Sequence, residues 1–329
     1  MPQTTTDPRP EPAAPPAKPG YTETALLHEL EPVVEHNLNR HLSSAREWFP
    51  HEYVPWSEGA DFDGPLGGRA WEVEQSRLDE TARTSMILNL LTEDNLPSYH
   101  HEISRLFGRD GAWGTWVHRW TAEEGRHGIA IRDYLLTTRA VDPVALERAR
   151  MTHMSTGYDS VHAHHAVNAI AYVSFQELAT RISHRNTGAY SGEPLCDQLL
   201  AKIANDENLH MVFYRNLLSA SLEIAPDQTM AAVLDVVKRF EMPGATVENY
   251  TRKSVQIALA GIYNLRIHRD EVLMPVLRSV KVFERTGFGA EGERDREELA
   301  AVLEALDSAA ARFEEKRAAY LARKADRNA

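Results

Sequence analysis

Cysteine is nearly absent: Cys196 is the single one in 329 residues. A lone thiol cannot close an internal disulfide, which fits a reducing compartment and sets the expectation of a cytoplasmic protein. Long hydrophobic runs are missing too. No stretch approaches the roughly 18 apolar residues that cross a bilayer, so no transmembrane segment is expected. The opening MPQTTTDPRPEPAAPPAKPG is rich in proline and alanine and holds no apolar signal region. It reads as a disordered tail, residues 1–20, ahead of one domain over residues 21–329. There is no alternating strand pattern of useful length. Positive charge is in deficit: 36 Lys and Arg against 48 Asp and Glu give a net charge of −12, which argues against nucleic acid as a general partner. A hydrophobic content of 43% supports a substantial core, and the fold expected is all-α.

Two short runs carry the chemistry, Glu124-Gly125-Arg126-His127 and Glu207-Asn208-Leu209-His210. No other Glu in the chain has a His three positions later. In a helix that separation puts both side chains on one face, about a turn apart, where a carboxylate oxygen and an imidazole nitrogen reach the same ion. Such donors suit iron, manganese or zinc. The two pairs lie 83 residues apart (207 − 124), which leaves room for a helix and its connection. A four-helix bundle holding two metals needs one further Glu from each remaining helix. Glu93 and Glu177 supply them, at intervals of 31 (124 − 93) and 30 (207 − 177) from the paired Glu. One helix–turn–helix unit therefore occurs twice.

Neighbouring residues say which way these carboxylates point. Trp116, Trp120, Glu124, His127, Ile131 and Tyr134 follow helical spacing, as do Ile203, Glu207, His210, Tyr214 and Leu217. Met86 and Leu90 precede Glu93 in the same way, and Ile170 and Val173 precede Glu177. Each acid sits in the apolar stripe of its helix and faces the core. Burying four carboxylates is untenable unless cations neutralise them.

The pattern predicts a first helix over 26–42, then a Trp-, Pro- and Gly-rich crossing segment over about 48–71. Helices follow at about 79–107, 115–139, 160–187, 192–222, 228–241, 246–263, 270–284 and 291–325. Pro143, Gly188/Pro194 and Pro226 fall at joints. The last helix is amphipathic and is expected on the outside of the bundle.

Several longer runs resemble the soluble acyl-acyl-carrier-protein (stearoyl-type) desaturases. They are Thr92-Glu93-Asp94-Asn95-Leu96-Pro97-Ser98-Tyr99, Trp120-Thr121-Ala122-Glu123-Glu124-Gly125-Arg126-His127-Gly128, Phe175-Gln176-Glu177-Leu178-Ala179-Thr180, Ile182-Ser183-His184-Arg185-Asn186-Thr187 and Asp206-Glu207-Asn208-Leu209-His210. The resemblance spans about residues 26–285. Leu30-Glu31-Pro32-Val33-Val34-Glu35 and Met274-Pro275-Val276-Leu277 look most like the actinobacterial branch. It implies a ferritin-like four-helix bundle with a di-iron core and added peripheral helices, and a homodimer. The activity implied is O₂-dependent insertion of a cis double bond into a carrier-bound saturated acyl chain, in unsaturated fatty acid biosynthesis. The implied cofactor is two Fe²⁺ per subunit on Glu93, Glu124, His127, Glu177, Glu207 and His210. The implied partners are acyl-acyl carrier protein and a ferredoxin-type electron donor. Gly125 departs from the plant-type motif, which carries Asn there. The chain is also shorter than plant relatives between Glu93 and Glu124.

The resemblance suggests that Asp206 serves His127 across the bundle; otherwise it is a solvated helix carboxylate. Trp48 matches a Trp near that His on an electron path, or is a plain core aromatic. Thr180, three residues after Glu177, can serve O₂ or proton delivery, or simply bond a backbone carbonyl. Arg40 and Arg46 are candidates for docking the acidic carrier, against a reading as solvated arginines. His162, His164 and His165, with Asp159 three before His162, imitate ligand spacing but lack partner carboxylates and are rejected as the centre. Cys196 is expected to be a small buried residue. Two other functions use the same ligands: a ferritin-like iron-binding protein, and a di-iron oxidase or hydroxylase acting on another lipid. Ferritin subunits are about half this length, which disfavours the first.

Overall fold

A computed structural model describes residues 20–157, 165–243 and 247–328. Among these residues the regular structure is helical, and β pairing is limited to an isolated bridge between Phe62 and Arg69. The expected tail (residues 1–19 of it), Asp159, His162 and His164 lie outside the described residues.

Helix α1 spans Glu23–Ser44, with the Thr22 hydroxyl accepting from Ala25 N at its start. A crossing segment with short 3₁₀ turns leads to α2 (Glu80–Asp94), capped by Asp79. Buried Arg139 ties that segment down by donating to the carbonyls of Ala60, Asp61, Arg69 and Ala70 and to Gln75 Oε1. The helix expected over 79–107 is two helices, α2 and α3 (Leu96–Phe107). Pro97 is the reason. It has no N–H, and its ring clashes with the carbonyl four residues back, that of Glu93. The chain turns at Asn95, whose N–H caps the Glu93 carbonyl.

Next come α4 (Gly111–Thr137), α5 (Pro143–Thr156), α6 (Ala166–Ser191) and α7 (Pro194–Ile224). The helix α5 was not expected from the pattern. Only Leu146 and His153 are buried on it, so it has no apolar stripe, and Asp142 and Pro143 start it by capping alone. After α8 (Pro226–Arg239) and α9 (Tyr250–Ala260), α10 runs Leu265–Ile267, passes through a π-helical turn at His268–Leu273, and ends with Met274–Ser279. The long α11 (Ala290–Asn328) packs on α8.

Helices α2, α4, α6 and α7 form the central bundle, α1 covers α4 and α7, and α3 packs on α4. Two apolar clusters flank the centre of the bundle. One is built around Trp116, Phe175, Phe213 and Leu217, the other around Met86, Leu90, Ile131 and Ile203.

Candidate metal centre

The six side chains singled out by spacing meet in one buried volume. Glu93 comes from the last turn of α2, Glu124 and His127 from α4, Glu177 from α6, and Glu207 and His210 from α7. All six are buried. Ligand-type atoms of Glu93, Glu124, His127 and Glu207 lie within 4.8 Å of one another, and so do those of Glu124, Glu177, Glu207 and His210. The two groups share Glu124 and Glu207, which makes a two-position layout with two common carboxylates.

Both imidazoles turn Nδ1 inward. His127 Nδ1 lies 3.4 Å from Glu124 Oε2, 3.3 Å from Glu207 Oε1 and 3.9 Å from Glu93 Oε2. His210 Nδ1 lies 2.8 Å from Glu124 Oε1 and 3.6 Å from Glu177 Oε2. Yet Glu124 Oε1, His127 Nδ1, Glu177 Oε2, both Glu207 oxygens and His210 Nδ1 are buried without a hydrogen-bond partner. Each such orphan costs about 1–3 kcal/mol. Gathered in one place, they fit cations that take oxygen and imidazole donors together, such as iron, manganese or zinc.

Protons are the alternative neutralisers. Burial and the Glu124 charge push Glu93 and Glu207 well above the usual carboxylate range. Burial alone would lower His127, but the hydrogen bond of Nε2 to Asp206 and the nearby charges of Glu124 and Glu93 outweigh it and raise the ring to about 10. His210 is raised in the same way by Glu123 and Glu124.

The outward Nε2 atoms are held reciprocally. Asp206, on α7, reaches His127 of α4 at 3.3 Å, and Glu123, on α4, reaches His210 of α7 at 2.8 Å. Asp206 Oδ2 also accepts from Trp48 Nε1 and Arg126 Nη2, both at 2.7 Å. Trp48 is buried, parallel to the His127 ring at 6.3 Å between centroids, with Arg126 over its face at 4.5 Å. Glu123 Oε2 also meets His41 Nε2 at 3.0 Å, and Oε1 accepts from Arg119 Nε at 2.7 Å. Sequence reasoning named Asp206 and overlooked Glu123. The signal was present, since each motif Glu is immediately preceded by an acid.

The terminal carboxylates are anchored as well. His184 Nε2 lies 3.0 Å from Glu93 Oε1, and Trp120 Nε1 donates to Glu177 Oε1 at 3.0 Å. Burial lowers His184 to about 3, so the ring is neutral and donates to Glu93. His184 was quoted within a motif but given no part in the site.

A pocket of about 670 Å³, counting its open mouth, runs away from Glu93 and Glu124 between α3, α4 and α6. Leu96, Tyr99, Ile103, Leu106, Tyr172 and Val173 supply its apolar wall. Thr180 lies on this wall, donating to the Gln176 carbonyl at 3.0 Å and accepting from Gln176 Nε2 at 2.9 Å. Of the rejected histidines, His165 is exposed and pairs with Glu23 at 3.0 Å, far from the centre. Arg46 is exposed, whereas Arg40 is half-buried, so the two docking candidates occupy different environments. Cys196 is buried, which pushes its thiol up to about 12.

A family model described as fatty acid desaturase matches residues 22–328. The chain is similar to a Mycobacterium tuberculosis protein described provisionally as acyl-[acyl-carrier-protein] desaturase DesA1, 51% identical over 311 residues and covering 92% of each. It is similar to the chloroplastic stearoyl-[acyl-carrier-protein] 9-desaturase 5 of Oryza sativa subsp. japonica, 29% identical over 292 residues, 82% of this chain and 73% of the relative. An X-ray structure of DesA2 from Mycobacterium tuberculosis H37Rv, described in the same provisional way, overlays with a TM-score of 0.64 at 35% identity, covering 78% of this chain and 99% of that one.

Proposed function

We infer the function from one premise: the chain belongs to the fatty acid desaturase family. It is proposed to be an acyl-acyl-carrier-protein desaturase that inserts a cis double bond into a carrier-bound saturated acyl chain with O₂ as oxidant. The observation that carries this reading is the adjacency of the orphaned buried donors of Glu124, His127, Glu177, Glu207 and His210 to an apolar pocket that Glu93 and Glu124 themselves line.

Two irons per subunit would be held by Glu93, Glu124, His127, Glu177, Glu207 and His210, with Glu124 and Glu207 common to both. Bound there, they would supply the two electrons and the oxidising power toward an unactivated methylene that no side chain has. The protein's own residues do the rest. Leu96, Tyr99, Ile103, Leu106 and Val173 exclude water and hold an extended hydrocarbon against the carboxylates. Asp206 and Glu123 keep protons on the outward nitrogens of His127 and His210, so Nδ1 of each ring is free to ligate. Thr180 Oγ1, on the pocket wall, can hold or pass a proton. Trp48, joined to His127 through Asp206, is the proposed route for electrons from a ferredoxin-type donor. The protein is proposed to act as a cytoplasmic homodimer; no described helix is long and apolar enough to cross a membrane.

Iron-loaded protein incubated with acyl carriers of several lengths, reduced ferredoxin and O₂ should give mono-unsaturated acyl products on mass spectrometry. Hydroxylated products would move the reading to a hydroxylase. Iron uptake without any change in the acyl chain would move it to iron storage.

A further inference from the structure

Glu93 and Glu177 are each anchored by a ring nitrogen, but the two anchors differ in chemistry. Trp120 Nε1 donates to Glu177 Oε1 and can do nothing else, since an indole N–H is only a donor. His184 Nε2, 3.0 Å from Glu93 Oε1, donates only while the ring proton sits on that nitrogen. A neutral imidazole carries one proton and can hold it on either atom. Something must therefore set the tautomer of this buried ring.

The seam between α2 and α6 holds the device. On α2, Ser85, Asn89 and Glu93 recur every four residues and form a polar stripe along one face. Helix α6 answers it with Ser183, His184 and Thr187. At one end Ser85 and Thr187 share a hydrogen bond at 2.7 Å between their hydroxyls. In the middle Ser183 Oγ donates to Asn89 Oδ1 at 3.0 Å, which leaves the NH₂ of the amide toward His184 Nδ1 at 3.3 Å. An amide nitrogen only donates, so Nδ1 accepts and the ring proton lies on Nε2, against Glu93. Against a carboxylate, the form that ligates metal, the reverse tautomer would set lone pair against lone pair. With Oε1 held in this way, Oε2 is the Glu93 oxygen that lies 3.9 Å from His127 Nδ1 in the centre.

We propose that Asn89 is a positioning residue for the metal centre: it fixes the proton of His184 on Nε2 and so decides which Glu93 oxygen turns inward. The proposal rests on the reading of Glu93 as a metal ligand. Asn89 does not line the apolar pocket, and its effect reaches the centre through His184.

The test compares metal binding and ring tautomer in the full chain. Anaerobic titration with Fe²⁺ should load two irons per chain in the parent. In Asn89→Leu one of the two should bind about 10- to 100-fold more weakly while the other is unchanged. Nitrogen NMR on histidine-labelled protein loaded with Zn²⁺, which is diamagnetic, reads the tautomer directly. His184 should carry its proton on Nε2 in the parent and exchange it between both nitrogens in Asn89→Leu. Ser183→Ala, a smaller change that frees the amide to turn over, should give the same mixture even if Asn89→Leu does not fold. Ser85→Ala with Thr187→Val removes a buried hydrogen bond from the same seam. That double variant should melt at a lower temperature and still bind both irons as the parent does. A parent His184 protonated on Nδ1, two irons bound normally in Asn89→Leu, or equal weakening in the Ser85 and Thr187 double variant would overturn the proposal. A parent that takes up no iron overturns the metal-ligand reading together with it.

Discussion

Asp206 and Glu123 act on their imidazoles through single oxygen atoms, so small chemical changes there have sharp consequences. In Asp206→Asn the amide can turn its NH₂ toward His127 Nε2, which favours the tautomer with the proton on Nδ1, the atom that faces Glu124 and Glu207. Outer partners of this kind typically change metal affinity or activity by about 10- to 100-fold. Asp206→Asn should therefore lower iron affinity or turnover by that factor while the melting curve stays cooperative, and Glu123→Gln should do the same through His210. If iron content and kinetics match the parent in both variants, these acids are packing groups and no more. Glu177→Ala is the companion measurement. It removes a carboxylate from one of the two donor groups, and metal analysis of anaerobically reconstituted protein should fall from near two irons per chain to near one.

Helices α2 and α3 meet at Asn95, two residues after Glu93, and Pro97 sets that junction. In Pro97→Ala the obstacle to a continuous helix over 80–107 disappears, and α3 with its pocket residues Tyr99, Ile103 and Leu106 would shift register relative to Glu93. The expected result is reduced iron retention and reduced acyl binding with helix content unchanged or slightly raised. Unaltered iron retention would show that packing on α4 alone fixes Glu93. The same junction shows where sequence reasoning succeeded and where it stopped. The four helices that bring Glu93, Glu124, Glu177 and Glu207 together were legible because each carries a carboxylate inside an apolar stripe, a burial that is costly until a cation or a proton neutralises it. Pro97 was legible too, but a single unbroken helix was expected because the apolar period resumes beyond it. The helix α5 was hidden because it buries almost nothing. Glu123 was hidden because an acid beside Arg126 and one turn from Arg119 reads as part of a solvated face, and its turn inward depends on His41, 82 residues away.

Charge shapes the whole molecule at two ranges. Inside, the metal-free centre holds protons that the unfolded chain would release. His127 is raised from 6.5 to about 10 and His210 is raised with it, so their contribution to stability is complete below pH 6.5 and is lost as pH climbs toward 10. Glu93 and Glu207 are raised as well and add to that loss, whereas Asp206, held low by His127, contributes above the usual carboxylate range and fails as pH falls. Metal-free protein should thus melt at progressively lower temperature from pH 6.5 upward. Iron, which replaces those protons, should flatten the slope and release protons on binding, and parallel slopes for both forms would refute the account. Outside, a net charge of −12 repels an acidic carrier protein, so productive docking needs a basic patch acting within roughly a Debye length of 8–10 Å. Arg46 is exposed beside Trp48, and Lys202 donates to its carbonyl at 3.4 Å while reaching over the Trp48 face at 5.8 Å. Exposed Arg46, with half-buried Lys202 behind it, places positive charge beside Trp48 near the centre. Reversing both, Arg46→Glu with Lys202→Glu, should raise the Michaelis constant for acyl-carrier substrate severalfold, most strongly at low salt, with iron content unchanged. A double variant that keeps the parent's affinity at low ionic strength would place the carrier on another face, because a field strong enough to overcome the global repulsion cannot survive the reversal of its own source.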